Sequence, residues 1–165
     1  MKGVKDERAK NFHFDCFVVK GIIYTIGGSL TGNNDFVRTV EAYDPTTDKW
    51  TKKNDMPDTR VLSAACVLGN LIYMVDGFSG LNSLSLYEPA TDTWKALTTA
   101  YSRRWEHTAN VVNGKIYAIG GYSSSGTDPL KLVEEYDPFR APKRPSLDTD
   151  AKKLATLWGK IKSTN

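Results

Sequence analysis

One string recurs three times in the 165-residue chain and limits what it can fold into: Ile23-Tyr24-Thr25-Ile26-Gly27-Gly28, Ile72-Tyr73-Met74-Val75-Asp76-Gly77 and Ile116-Tyr117-Ala118-Ile119-Gly120-Gly121, at offsets of 49 and 44. A second signature follows each copy: Tyr43-Asp44-Pro45-Thr46-Thr47-Asp48-Lys49-Trp50, Tyr87-Glu88-Pro89-Ala90-Thr91-Asp92-Thr93-Trp94 and Tyr136-Asp137-Pro138. The first two share a Tyr-to-Trp spacing of seven. A period of roughly 45 to 50 residues is that of a supersecondary unit that cannot bury its apolar surface alone and stacks on its neighbours.

Turn chemistry divides each unit into four short strands, which in the second unit fall at residues 63–69, 71–77, 83–87 and 93–97. The first two strands of the units meet at Lys20-Gly21, Gly69-Asn70 and Asn113-Gly114. Asn-Gly is the dipeptide that most readily supplies the positive φ angles of a tight hairpin. The last two strands meet at Pro-x-Thr-Asp, where Pro fixes φ and the Asp is expected to close an Asx-type turn. Units of this kind are antiparallel meanders with aromatic residues wedged between neighbours.

The doubled glycine after an apolar strand, followed by Tyr and by Trp seven residues later, resembles the kelch repeat over about residues 12–138. The resemblance implies an all-β fold: a partial β-propeller of three four-stranded antiparallel blades, at about 12–60, 61–104 and 105–138, after an N-terminal extension of residues 1–11. Two departures bear on the blades. Asp76 stands where the first glycine belongs, which predicts an altered strand exit, and Lys143 stands where the third tryptophan belongs, so the third blade is degenerate. The recurrent Tyr43, Tyr87, Tyr136, Trp50 and Trp94 read as core between blades, and the glycine pairs as a close backbone approach.

Residues 139–165 form a basic linker and tail. Their prolines suit an extended linker, and the end of the chain reads either as a helix capped at Asp148 or Thr149, with Leu154, Leu157, Trp158 and Ile161 on one stripe, or as a delayed outer strand in which Trp158 replaces the missing blade tryptophan. Residues 139–165 carry a net charge of +5 and the rest of the chain −2, so the tail reads as a solvated segment on a near-neutral body, and neither nucleic acid nor membrane is an expected partner. Met1 to Asn11 is charged and unlike a signal peptide, and no apolar stretch reaches the roughly 20 residues a membrane helix needs. Cys16 and Cys66 form no CxxC pair and sit in apolar runs, which favours a soluble, reducing compartment such as the cytoplasm.

In a meander, the loops after strands two and four open on one face of the blade, and the turns after strands one and three on the other. The first set is long and irregular, and variable loops on a rigid scaffold are where binding concentrates. That face carries Arg38, Arg60, Tyr101, Arg103, Arg104, Trp105 and Tyr122, residue types that dominate interface hot spots. Arg60 and Arg104 lie at matching repeat positions and resemble the arginines with which kelch adaptors hold acidic or polar peptides. The expected partner is therefore a protein or peptide, with no cofactor, metal or catalytic residue assigned. The alternative is a fragment of a carbohydrate-active propeller enzyme resembling galactose oxidase or a sialic-acid isomerase. A copper site of the first kind wants several imidazoles converging with tyrosine, and the chain offers only His13 and His107. Propellers close with about four to eight blades, so three blades imply a homodimer or further blades supplied from elsewhere.

Overall fold

The structure, a computed structural model, describes residues 13–78, 84–97, 103–123, 126 and 128–140. The N-terminal extension and the helix-or-strand tail lie outside the described residues. Every described element is a β-strand.

The first blade is the antiparallel meander β1 (Asp15–Val19), β2 (Ile22–Ile26), β3 (Val40–Asp44) and β4 (Lys49–Lys52). The second repeats it with β5 (Ala64–Leu68), β6 (Leu71–Val75), β7 (Leu84–Glu88) and β8 (Thr93–Leu97). In the third, a short β9 (Arg104–Trp105) precedes β10 (Thr108–Val112), β11 (Lys115–Ile119), β12 (Tyr122–Ser123) and β13 (Val133–Tyr136). Its main sheet has the order β10-β11-β13, and β9 pairs with β12 beside it. A fourth outer strand is absent from the third sheet among the described residues, in keeping with the lost tryptophan.

The hairpins obey their turn residues. Lys20 and Gly21 have φ of 51° and 79°, and Asn113 and Gly114 have 50° and 74°, the double left-handed geometry of a type I′ turn. At Gly69-Asn70 only Gly69 is left-handed, at 64°. The Pro-containing turns depart from expectation in one detail. The Asx bond is closed by Asp44, whose Oδ1 accepts from Thr46 N at 2.8 Å, because Asp48 is itself left-handed at φ 55° and accepts from the Tyr43 hydroxyl at 2.8 Å.

Alternation along the strands builds the core, since successive side chains point to opposite faces of a sheet. Tyr24, Ile26, Val40 and Ala42 of the first blade meet Ile72, Met74 and Tyr87 of the second, while Tyr73, Val75 and Leu84 on the reverse of the second meet Ile116 and Ala118 of the third. The Tyr24 and Tyr87 rings cross edge to face at 6.1 Å. Strand approach between blades is made chiefly by β1 with β5 and β5 with β10, so the first strands lie innermost in the fan. The core therefore sits between blades, with Tyr87, Trp94 and Tyr136 of the recurrent aromatics packed in it, whereas Tyr43 and Trp50 lie on the face of the first blade turned away from the second, and the blades do not close into a ring.

Candidate functional site

The irregular-loop face is knitted together by the glycine pairs. Gly28 N donates to Arg60 O at 3.2 Å and Gly77 N to Arg104 O at 3.0 Å, so each strand exit binds the segment entering the next blade. The approach leaves no room for a side chain: a Cβ on Gly27 would lie 2.9 Å from Arg60 O, and one on Gly121 2.6 Å from Trp105 O. The altered exit expected at Asp76 is not found. Its φ of 41° lies in the same left-handed region as Gly27 (69°) and Gly120 (66°), a conformation that Asp tolerates better than most residues.

Arg60 and Arg104 are each 1% exposed. Arg60 Nη1 donates to Met74 O at 3.2 Å and Nη2 to Ser85 Oγ at 2.7 Å, with Asp58 Oδ1 at 3.3 Å from Nε. Arg104 Nη1 donates to Gly120 O at 3.0 Å, and Nη2 forms a buried ion pair with Glu134 Oε2. Ser85 and Glu134 both lie two residues before the blade tyrosine, so the two arginines dock alike. As placed, neither guanidinium is open to a partner, and both are part of the framework beneath the loop face.

Two buried titratable groups lie beside these arginines. Asp15 accepts from the Ser63 hydroxyl, and burial raises its carboxyl to about 6 against the opposing pull of that bond and of Arg60. His107 is 7% exposed with neither ring nitrogen hydrogen-bonded, and burial reinforced by the Arg104 charge lowers its pKa to about 4. It is held neutral at physiological pH. Among the described residues, no three His, Cys, Asp or Glu side chains converge to hold a metal ion.

The exposed layer of the face is aromatic. Phe36 of the first blade meets Phe78 of the second edge to face at 6.0 Å, Phe78 meets Trp105 in the same way at 6.0 Å, and Trp105 stacks on Tyr122 at 5.0 Å and 25°. The row crosses all the blades. Backbone bridging fixes it: Phe78 pairs with Val61 as Tyr122 pairs with Trp105. Phe78 is 47% exposed, and Leu30 nearby is 51% exposed. Of the residues expected here, Trp105 and Tyr122 are in the row, Arg38 and Arg103 are exposed at its margins, and Tyr101 lies outside the described residues. Phe36 and Phe78 were not legible as site residues from composition. The available signal was positional, because Phe78 follows its glycine as Tyr122 does.

Comparison with known proteins agrees with this architecture. A family profile described as the kelch motif matches residues 12–57 and 103–138. Alpha-scruin of Limulus polyphemus is 30% identical over 78 residues, 47% of this chain and 8% of its own length. The spermatocyte protein spe-26 of Caenorhabditis elegans is 40% identical over 67 residues, 38% of the chain and 12% of its own length. The human kelch repeat and BTB domain-containing protein 2 is 41% identical over 56 residues, 34% of the chain and 9% of its own length. The matched stretches thus span only a small part of these relatives. With three registered repeats, meander blades packed through their recurrent aromatics and these matches, the chain belongs to the kelch-repeat family.

Proposed function

We propose that this chain is a protein-interaction module whose irregular-loop face binds a protein or peptide partner. Kelch repeats and the kelch-protein relatives support an interaction role in general. The observation that carries the choice of face is the aromatic row Phe36, Phe78, Trp105 and Tyr122, continuous across the blades and partly open to solvent. Aromatic side chains supply large contact area at low entropic cost and are enriched in interface cores. Arg38 and Arg103 at the margins can grip carboxylates, whereas the buried Arg60 and Arg104 hold the loops that present the row. The opposite face offers short, exposed turns closed on their own hydrogen bonds.

The test is selection from a displayed random-peptide library against the whole chain, followed by titration of selected peptides into variants. Phe78→Ser and Arg103→Ala are expected to weaken binding, and Thr46→Ala and Thr91→Ala on the opposite turns to leave it unchanged. Equal losses at the turns would refute the assignment of the face, and turnover of a sugar substrate without peptide capture would favour an enzyme fragment.

A further inference from the structure

Both polar atoms carried by the aromatic row can donate a hydrogen bond. Trp105 and Tyr122, stacked at 5.0 Å and 25°, are half-buried, and among the described residues neither the Trp105 indole nitrogen nor the Tyr122 hydroxyl has a hydrogen-bond partner. An indole N–H donates only, and a phenol O–H adds a second donor beside it. Phe36 and Phe78 supply ring faces and edges with no polar atom. The exposed charges around the row are mixed in sign, Arg38, Arg103 and Lys131 against Glu106 and Asp128. Charge complementarity therefore points to a partner segment that is neutral where it crosses the rings, apolar in its side chains and able to accept hydrogen bonds.

The backbone under the row is already paired. Phe78 N donates to Val61 O at 2.8 Å, Val37 N to Gly28 O at 2.9 Å and Leu130 N to Gly121 O at 2.7 Å. Tyr122 bridges Trp105 on one side and Pro129 on the other. A partner that adds a strand needs an open sheet edge. At Tyr122 no such edge is open, so recognition there falls to the rings.

A polyproline II segment has the matching chemistry. Its backbone makes no internal hydrogen bonds and its carbonyls are open as acceptors, while prolyl residues lack the N–H that would ask the row for an acceptor. Phe36 and Phe78 meet at 81° and Phe78 and Trp105 at 78°, so successive rings alternate face and edge and present a ridged surface against which rigid pyrrolidine rings pack. The steps along the row, 6.0, 6.0 and 5.0 Å, are covered by about six polyproline II residues at ~3.1 Å each. Such a segment is extended before it binds, which lowers the cost of ordering it.

We propose that the partner segment is a proline-rich stretch in polyproline II conformation, its rings packed on Phe36, Phe78 and Trp105 and its carbonyls accepting from Trp105 Nε1 and the Tyr122 hydroxyl. This assignment rests on the loop face being the binding surface.

The experiment is isothermal titration of the whole chain with three probes, a capped octaproline peptide, an alternating Val-Ser peptide of equal length and maltohexaose, alongside the proline content of peptides selected from the displayed library. Octaproline is expected to bind and the selected peptides to be enriched in proline. Phe78→Ser should abolish octaproline binding, and Tyr122→Phe should weaken it by about twofold to tenfold at unchanged urea midpoint, the scale of one neutral hydrogen bond. Thr46→Ala should leave it unchanged. Selected peptides that bind, are lost with Phe78→Ser and show no proline enrichment, with octaproline silent, would overturn the polyproline assignment and leave the loop face standing. Binding of the Val-Ser peptide or of maltohexaose in place of octaproline would overturn it in the same way. No peptide bound at the loop face would overturn both readings. Should Phe78→Ser misfold, Tyr122→Phe decides: octaproline affinity indifferent to loss of the hydroxyl also overturns the assignment.

Discussion

Arg104 holds Glu134 with its guanidinium while its main-chain carbonyl accepts from Gly77 N at 3.0 Å. One residue thus ties the strand exit of the second blade to the third strand of the third. Arg60 does the same between the first and second blades, with Ser85 in place of the carboxylate. Because each arginine lies under the loops, the geometry of the aromatic row depends on these pairs even though neither reaches the surface.

Removing Arg104 would take its buried ion-pair partner from Glu134, which is 5% exposed. Arg104→Ala is expected to lower stability by about 3–5 kcal/mol. Arg60→Ala should cost less, since its carboxylate partner Asp58 is 30% exposed, where Glu134 is 5% exposed, and Arg60 also bonds the Ser85 hydroxyl and the Met74 carbonyl. Urea unfolding of both, together with Arg104→Ala/Glu134→Ala, checks this. The double variant should recover part of the loss, and additive losses would show that the pair is not coupled.

Glycine positions separate two costs. Gly114, at φ 74° with open space around it, asks only for a left-handed backbone, so Gly114→Ala should cost about 1–2 kcal/mol. Gly121, at φ 83°, would also drive a Cβ to within 2.6 Å of Trp105 O and 2.7 Å of His107 Cβ. Gly121→Ala should therefore cost more than Gly114→Ala by an overpacking increment of about 1–3 kcal/mol, read from thermal or urea unfolding. Equal losses would show that the entering segment yields freely.

The meander pattern, the hairpin turns and the inter-blade aromatics were legible because each repeats and because turn residues constrain φ locally. The partners of Arg60 and Arg104 were not. An arginine beside an irregular loop reads as one that faces a partner, and the burial of these two depends on Ser85 and Glu134, 25 and 30 residues away in sequence. Phe36 and Phe78 escaped for the opposite reason: they lie in irregular loops, and only the fold brings their rings together. Asp76 looked like a defect in the pattern, yet its backbone keeps the glycine conformation.

Asp92 is the centre of the first inter-blade joint, accepting from the fully buried Tyr87 through its hydroxyl at 2.7 Å and from Asn54 N at 3.0 Å. Asp92→Ala leaves both donors unmatched and should cost about 1–3 kcal/mol. Asp48→Ala, at the open equivalent, should cost less in the isolated chain. A comparable loss at Asp48 under conditions where the chain is monomeric would contradict this ordering.

On the loop face, Phe78→Ala should weaken binding of a selected peptide by about 2 kcal/mol, the scale of a hot-spot aromatic. The side chain is half exposed, so unfolding should shift much less than with Arg104→Ala. Isothermal titration and urea unfolding on the same preparation give both numbers. A stability loss equal to the binding loss would mean that the row is framework and not contact surface.

Stability between about pH 4 and pH 6 should reflect two opposed protons. Asp15 has a folded pKa of about 6, above the unfolded aspartate value of about 3.9, so in this window the native state binds the extra proton and stability falls as pH rises. His107 has a folded pKa of about 4, below the unfolded value of about 6.5, so the unfolded state binds the extra proton and stability rises with pH. Each full proton contributes a slope of about 1.4 kcal/mol per pH unit, and the two nearly cancel. Single replacements expose them. Relative to the native sequence, Asp15→Asn should gain stability steadily from pH 4 to pH 6, and His107→Leu should lose it over the same range. Urea midpoints measured at half-unit pH intervals test both signs, and parallel profiles for all three proteins would show that neither group is shifted as its burial requires.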